Sequence, residues 1–215
     1  MPLNKSTGNM YEFITHTWNA IKGRCHHDCS YCYMKRWGDL KPVRLDVKEF
    51  KTDLGQGNFI FVGSSCDMFA NDIPSEWISK VFNYCDLFEN KYLFQTKNPA
   101  NIRRIMPMNS SVCVTLESNR FYPEIMRNSP SPSDRVKEMQ LIRHPLFITI
   151  EPIIDFDFYN FIEMIKACDP LQVNIGADSG RHGLPEPSKE KIDELVNELS
   201  RFTKVVHKKN LRRIV

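Results

Sequence analysis

Residues 23–35 read GRCHHDCSYCYMK. Cys25, Cys29 and Cys32 fall in a C-x3-C-x2-C pattern, directly after the short apolar segment Phe13–Trp18. Three thiolates on one short loop hold three corners of a 4Fe–4S cube and leave the fourth iron open to a substrate or cofactor. Zinc is the competing reading, with His26, His27 or a distant histidine completing a tetrahedron. A c-type haem attachment is excluded because no C-x-x-C-H occurs. Local ligation of all four irons is also excluded, because the loop offers only three cysteines.

Outward from this loop, the chain alternates between two patterns. Short runs rich in Val, Ile and Phe predict strands at Phe13–Trp18, Asn58–Gly63, Lys91–Thr96, Ser111–Leu116, Pro145–Ile150 and Leu171–Ile175. Amphipathic stretches predict helices at Ser75–Glu89, Asp134–Arg143, Phe156–Ala167 and Ser188–Thr203. Ser188 is placed to cap the last of these, whose stripe is Ile192, Leu195, Val196, Leu199 and Phe202. Six alternations imply a parallel sheet with right-handed crossovers. A strand covered on both faces reads as almost continuously apolar. Here one face of each later strand is partly polar, which suggests a curved sheet around a polar lumen. Gln95, Lys97, Thr115, Glu117, Thr149, Glu151, Asn174 and Asp178 are expected to face it, with the chemistry at the C-terminal strand ends.

The whole chain bounds the answer. Its 215 residues are 41% hydrophobic and 26% charged, with a net charge of +3, an ordinary balance for a globular domain. The expected organisation is a single domain over 1–215, with a core at about 11–203 and a basic tail at 204–215. Mean hydropathy is −0.41, and no run reaches the ~20 apolar residues of a membrane span. No signal peptide is visible at MPLNKSTGNMYEF, so a cytoplasmic protein with no membrane partner is expected. Seven cysteines, an odd count, do not suit a secreted disulfide framework. The basic tail (Lys204, Lys208, Lys209, Arg212, Arg213) reads as a solvated terminal strand or helix, with phosphate contact as the alternative.

The cysteine pattern, with Tyr31 before the last cysteine and the loop after the first strand, resembles the radical S-adenosylmethionine (SAM) superfamily. More narrowly, TWNAIKGRCHHDCSYCYM, FVGSSCDMF, FQTKNP, TIEPIID and NIGADSG resemble a phage-associated radical SAM family, distantly similar to spore photoproduct lyase. The resemblance implies a partial (β/α)6 barrel. It implies that Cys25, Cys29 and Cys32 ligate the cluster and that SAM chelates the open iron. It further implies reductive cleavage of SAM, hydrogen abstraction from the substrate by a 5′-deoxyadenosyl radical, and an external electron donor such as flavodoxin or ferredoxin. Gly63, Ser64, Ser65 and Asp67 match the segment that meets the SAM ammonium, although a second Gly and a Glu are missing there. Glu117 matches a ribose contact, and Tyr31 is placed near the adenine.

Four further residues are candidates for the chemistry itself. Lys97 offers a cation for an anionic substrate or carboxylate, against a plain solvent-facing lysine. Glu151 faces the lumen by parity, against a structural loop acid. Asp178 leads into a loop where Arg181 and His182 suggest an anion clamp and a proton carrier, against a solvated turn. Cys113, like Cys66, offers a thiol hydrogen donor, against the commoner packing role of a free cysteine. The expected substrate is a small polar molecule or a nucleotide, including a modified or damaged base in DNA, which would have to be flipped out to reach a lumen. The alternatives are a zinc-stabilised nucleic-acid-binding module without catalysis and an electron-transfer iron–sulfur protein.

Overall fold

The computed structural model describes residues 3–102 and 105–215. Among the described residues ten strands form: β1 (Asn4–Lys5), β2 (His16–Trp18), β3 (Ile21–Lys22), β4 (Arg44–Leu45), β5 (Phe59–Val62), β6 (Lys91–Thr96), β7 (Ser110–Thr115), β8 (Leu146–Ile150), β9 (Gln172–Ile175) and β10 (Lys204–His207). Five α-helices accompany them: α1 (Ser75–Cys85), α2 (Pro123–Met126), α3 (Pro132–Met139), α4 (Phe158–Lys166) and α5 (Lys189–Leu199). One sheet runs β1-β2-β5-β6-β7-β8-β9-β10, while β3 and β4 pair separately. Within the large sheet every pairing from β2 onward is parallel, with β1 antiparallel at its edge, and β3 and β4 pair antiparallel. The edges β1 and β10 do not pair, so the barrel stays open.

All six expected strands are present. The seventh parallel strand, β10, comes from the basic tail, where only Val205 and Val206 separate Lys204 from His207. The tail is thus part of the sheet and is only partly solvated. α3 begins at Pro132 rather than Asp134, because Ser131 caps it by accepting from the Asp134 N–H. Ser188 caps α5 in the same way, through the Lys191 N–H.

Residue parity divides the sheet into two faces. The outer face carries Ile60, Val62, Phe94, Val112, Val114, Ile148, Ile150, Val173 and Ile175. All are buried in one cluster with Val81 and Phe82 of α1, Phe161 and Ile165 of α4, and Leu195 and Leu199 of α5. The inner face is layered. Its lower end is plugged by Tyr11, Ile14, Phe61, Leu93 and Cys113, with Phe13, Phe59 and Phe147 packed against them. Above the plug, Thr115, Thr149 and Asn174 stand side by side on neighbouring strands. The lumen is therefore apolar at its base and polar toward the C-terminal ends of the strands.

Candidate active site

Those strand ends surround a cavity of about 950 Å³. Its wall includes Cys25, Cys29, Cys32 and Tyr31 of the loop after β3, and Gly63, Ser64, Ser65, Cys66 and Asp67 after β5. Gln95 comes from β6 and Lys97 from just past its end, Thr115 from β7, Glu151 from the end of β8, and Asp178 from beyond β9. The chain thus brings together three cysteines from one loop and titratable groups from four strand ends.

The cysteine loop is tied down from two sides. His27 is buried, and its Nε2 lies 2.8 Å from the Asp67 carboxylate. Asp67 also accepts from Thr96 Oγ1 at 3.0 Å, the Lys97 N–H at 2.8 Å and the Phe69 N–H at 3.0 Å. Burial pushes the Asp67 carboxyl pKa up, but the bond and charge of His27, together with the Lys97 and Phe69 N–H groups, outweigh it and hold the group below its usual range. Asp67, which the resemblance sets near the SAM ammonium, lines the cavity with these bonds already made. Its carboxylate serves as the strut that fixes the cysteine loop to β6. On the other side Ser30 N–H donates to the Ile125 carbonyl of α2 at 2.9 Å.

All three loop cysteines are free thiols. A hydrogen bond from Cys66 holds the Cys25 thiol below its usual pKa, whereas burial raises that of Cys29. Among the described residues, no three Cys, His, Asp or Glu side chains converge in ion-binding geometry. The residues nonetheless fit an iron–sulfur cluster and its ligand. Three thiols from one loop open onto one cavity. Ser65 Oγ on the same wall is buried without a hydrogen-bond partner, which marks a polar position waiting for a group. Gly63 turns the chain there at φ +79°, a conformation that a side chain would strain.

Glu117 does not reach the cavity wall. It is completely buried, paired at 2.7 Å with an equally buried Arg135, and it accepts a short hydrogen bond from the Tyr31 hydroxyl. Burial opposes its ionisation, but Arg135 and then Lys97 overcome that and keep the carboxyl below its usual range. What faces the cavity is Tyr31, braced from behind by Glu117. Lys97 Nζ stands 5.4 Å from the Tyr31 ring centroid and 4.0 Å from Glu117. Burial pulls its pKa down, but Cys29 and Glu117 beside it outweigh that, so it stays a cation with the Glu117 carboxylate at 4.0 Å.

Cys113 also lies off the wall. Burial raises its thiol to about 12, and the Tyr11 hydroxyl, 3.7 Å away, stands over it. Tyr11 itself lines the cavity and donates to Gln95 Oε1 at 2.8 Å, while Gln95 Nε2 donates to Thr115 Oγ1 at 3.1 Å. Thr149 and Asn174 lie below the wall.

Glu151 is the meeting point of both ends of the chain. Its Oε1 accepts from Asn9 Nδ2 at 2.7 Å and Asn210 Nδ2 at 2.6 Å, and its Oε2 pairs with Lys208 at 2.5 Å. Lys208 Nζ sits 4.5 Å from the Tyr11 ring centroid. Gly176 allows this arrangement, because a Cβ there would lie 2.8 Å from Asn210 Oδ1 and 2.9 Å from the Glu151 carboxyl. Asp178 pairs with His182 Nδ1 at 2.7 Å, while Arg181 is exposed. Tyr11 and Asn9 carry no sequence signal for a site, and Lys208 signals only as one of several basic tail residues; the open barrel brings all three to the cavity, with Asn210 bonded to Glu151 beside them.

No protein-family model and no curated protein matches the sequence. Solved structures do. Spore photoproduct lyase with bound AdoMet and dinucleoside spore photoproduct superposes with TM-score 0.69 at 11% identity, covering 96% of this chain and 80% of that one. A single-site variant of the same enzyme gives TM-score 0.67 at 12% identity, over 94% and 78%. Methylornithine synthase gives 0.55 at 14% identity, over 89% and 70%. These are radical SAM enzymes, and the fold of this chain is the radical SAM partial barrel, open between β1 and β10 and distantly similar to that of spore photoproduct lyase.

Proposed function

We propose that this protein is a radical SAM enzyme acting on a nucleotide, free or within nucleic acid. The observation that carries the reading is the shared cavity: three free thiols of a C-x3-C-x2-C loop open onto the same space as Lys97, Glu151 and Asp178 from three separate strand ends. Cys25, Cys29 and Cys32 would hold a 4Fe–4S cluster. When bound and reduced, it supplies the electron that cleaves S-adenosylmethionine to a 5′-deoxyadenosyl radical.

The chain's own residues orient and shield. Ser64, Ser65 and the backbone around Gly63 offer polar contacts for the methionine end of SAM, and Tyr31, held by Glu117, offers a ring face for the adenine. Lys97 supplies positive charge for an anionic group. Glu151, bonded to Asn210, and Lys208 wall the side where the barrel is open, and Asp178 is paired with His182 at the mouth. The plug of Tyr11, Phe13, Phe61 and Phe147 closes the base against water. The nucleotide assignment is supported by the neighbour with a bound dinucleoside photoproduct. A cytoplasmic setting and a flavodoxin or ferredoxin donor belong to the same reading, since the cluster needs a reducing compartment. No helix of the described residues is long and apolar enough to cross a membrane.

The test is anaerobic reconstitution with iron and sulfide, then SAM and dithionite, reading 5′-deoxyadenosine with and without added nucleosides and oligonucleotides. A brown protein that forms 5′-deoxyadenosine is expected. A colourless protein holding stoichiometric zinc and leaving SAM intact would overturn the reading.

A further inference from the structure

Residues 33–37, YMKRW, form a short 3-10 turn directly after Cys32, and none of them is buried. Trp37 is 68% exposed and Tyr33 46%, an unusual fate for two large rings. The Arg36 guanidinium lies 5.3 Å from the Trp37 ring centroid and 5.6 Å from that of Tyr33, within cation–π range of both. The turn is anchored, since the Tyr33 hydroxyl donates to the Ser64 carbonyl at 2.6 Å. Arg36 and Gly38, on either side of Trp37, line the cavity, so the indole stands at its rim.

The charge around this turn is one-sided. Arg24, Arg36, Lys41 and Arg44 are all exposed. The nearby acids are already committed: Asp28 to Lys35 and Arg127, Asp46 and Glu49 to Lys22. Between residues 33 and 44, Asp39 is the only acid. A cationic strip with an arginine-stacked tryptophan beside an opening is the chemistry that grips bases by their faces and phosphates by their charge. An acidic peptide would use the cations and leave the indole idle. A duplex keeps its base faces stacked inside.

From this geometry we infer that Trp37, Tyr33 and Arg36 are a stacking platform for single-stranded nucleic acid. The phosphates run over Arg24, Lys41 and Arg44, and the strand presents a nucleotide to the cavity. This rests on the nucleic-acid form of the reading above and adds where the strand lies.

The experiment uses the full-length reconstituted protein and a fluorescein-labelled oligothymidine of about 12 nucleotides, within the usual single-strand site size. Anisotropy is followed across a salt series. Binding is expected to weaken linearly in log salt. Lys41→Ala and Arg44→Ala should each reduce the slope by about 0.7. Trp37→Ala should lower affinity roughly tenfold with the slope unchanged, and Trp37→Phe should restore part of it. A duplex of the same length should bind less well. The platform is overturned if wild type ignores the oligonucleotide, if Trp37→Ala binds like wild type, or if polyglutamate competes as well as unlabelled oligothymidine. The same preparations are assayed for 5′-deoxyadenosine without oligonucleotide, where Trp37→Ala should match wild type. SAM cleavage without oligonucleotide binding sinks the platform alone, while absence of cleavage in wild type sinks the catalytic reading.

Discussion

Arg135 and Glu117 face each other at 2.7 Å with neither side chain exposed to solvent. Arg135 also donates to the carbonyls of Thr115 and Pro130, each at 2.8 Å, and to Ser129 Oγ at 3.1 Å. The pair joins α3 to the end of β7 and, through Tyr31, to the cysteine loop. Arg135→Met should strand a buried carboxylate and cost ~3–5 kcal/mol in urea unfolding. Pairing it with Glu117→Gln should recover part of that loss. A single variant within 1 kcal/mol of wild type, on the scale of an exposed pair, would show that the pair carries no such weight.

The same carboxylate sets an acid limit. The folded state holds Glu117 below its ordinary range, mainly because Arg135 and Lys97 outweigh burial. Such a group stabilises the fold above the unfolded pKa of about 4.3, and the contribution fades as pH falls through the lower folded value. Wild type should therefore lose stability faster than Glu117→Gln as pH drops below about 4. Parallel pH profiles of the unfolding free energy would refute this.

Iron content should separate the loop cysteines from two of the core ones. Alanine at Cys25, Cys29 or Cys32 should abolish retention of iron and visible absorbance after anaerobic desalting. Alanine at Cys85 or Cys168, both buried in the outer core, should leave both intact while lowering stability. Retention of a full cluster by any one of the three loop variants would remove that cysteine from the ligand set.

Gly176→Ala tests the wall at the open side of the barrel. The new methyl would fall 2.8 Å from Asn210 Oδ1 and 2.9 Å from the Glu151 carboxyl. Overpacking of this kind usually costs ~1–3 kcal/mol. Displacing Glu151 should spare uncoupled 5′-deoxyadenosine formation and depress product from the true substrate. Glu151→Ala should do the same. Equal loss of both readouts would place Glu151 with the SAM contacts instead.

Most of the sheet could be read from the chain because each central strand buries one face under helices, leaving runs such as Phe59–Val62 and Leu146–Ile150. β10 was obscured because two charged or titratable residues flank only two valines at the sheet's edge. Parity placed Gln95, Lys97, Thr115, Glu151 and Asp178 on the inner side, and they line the cavity. Parity cannot say which inner groups are already spoken for. Glu117 and Asp67 look like free acids in sequence, yet they are consumed by Arg135 and His27, whose partnerships span 18 and 40 positions. Glu151 shows the same limit, since its neighbours Asn9 and Asn210 lie 142 and 59 residues away.

That distance matters when the chain is being made. The three loop thiols leave the ribosome well before Lys208 and Asn210, which lie 176 to 185 residues further along. At the usual ~5–20 residues per second, the cysteines stay open to the cell for many seconds before the final strand can close the wall beside them. Iron delivered in that interval meets an accessible loop. Iron delivered later has to reach the thiols through the cavity that Lys208 helps to wall.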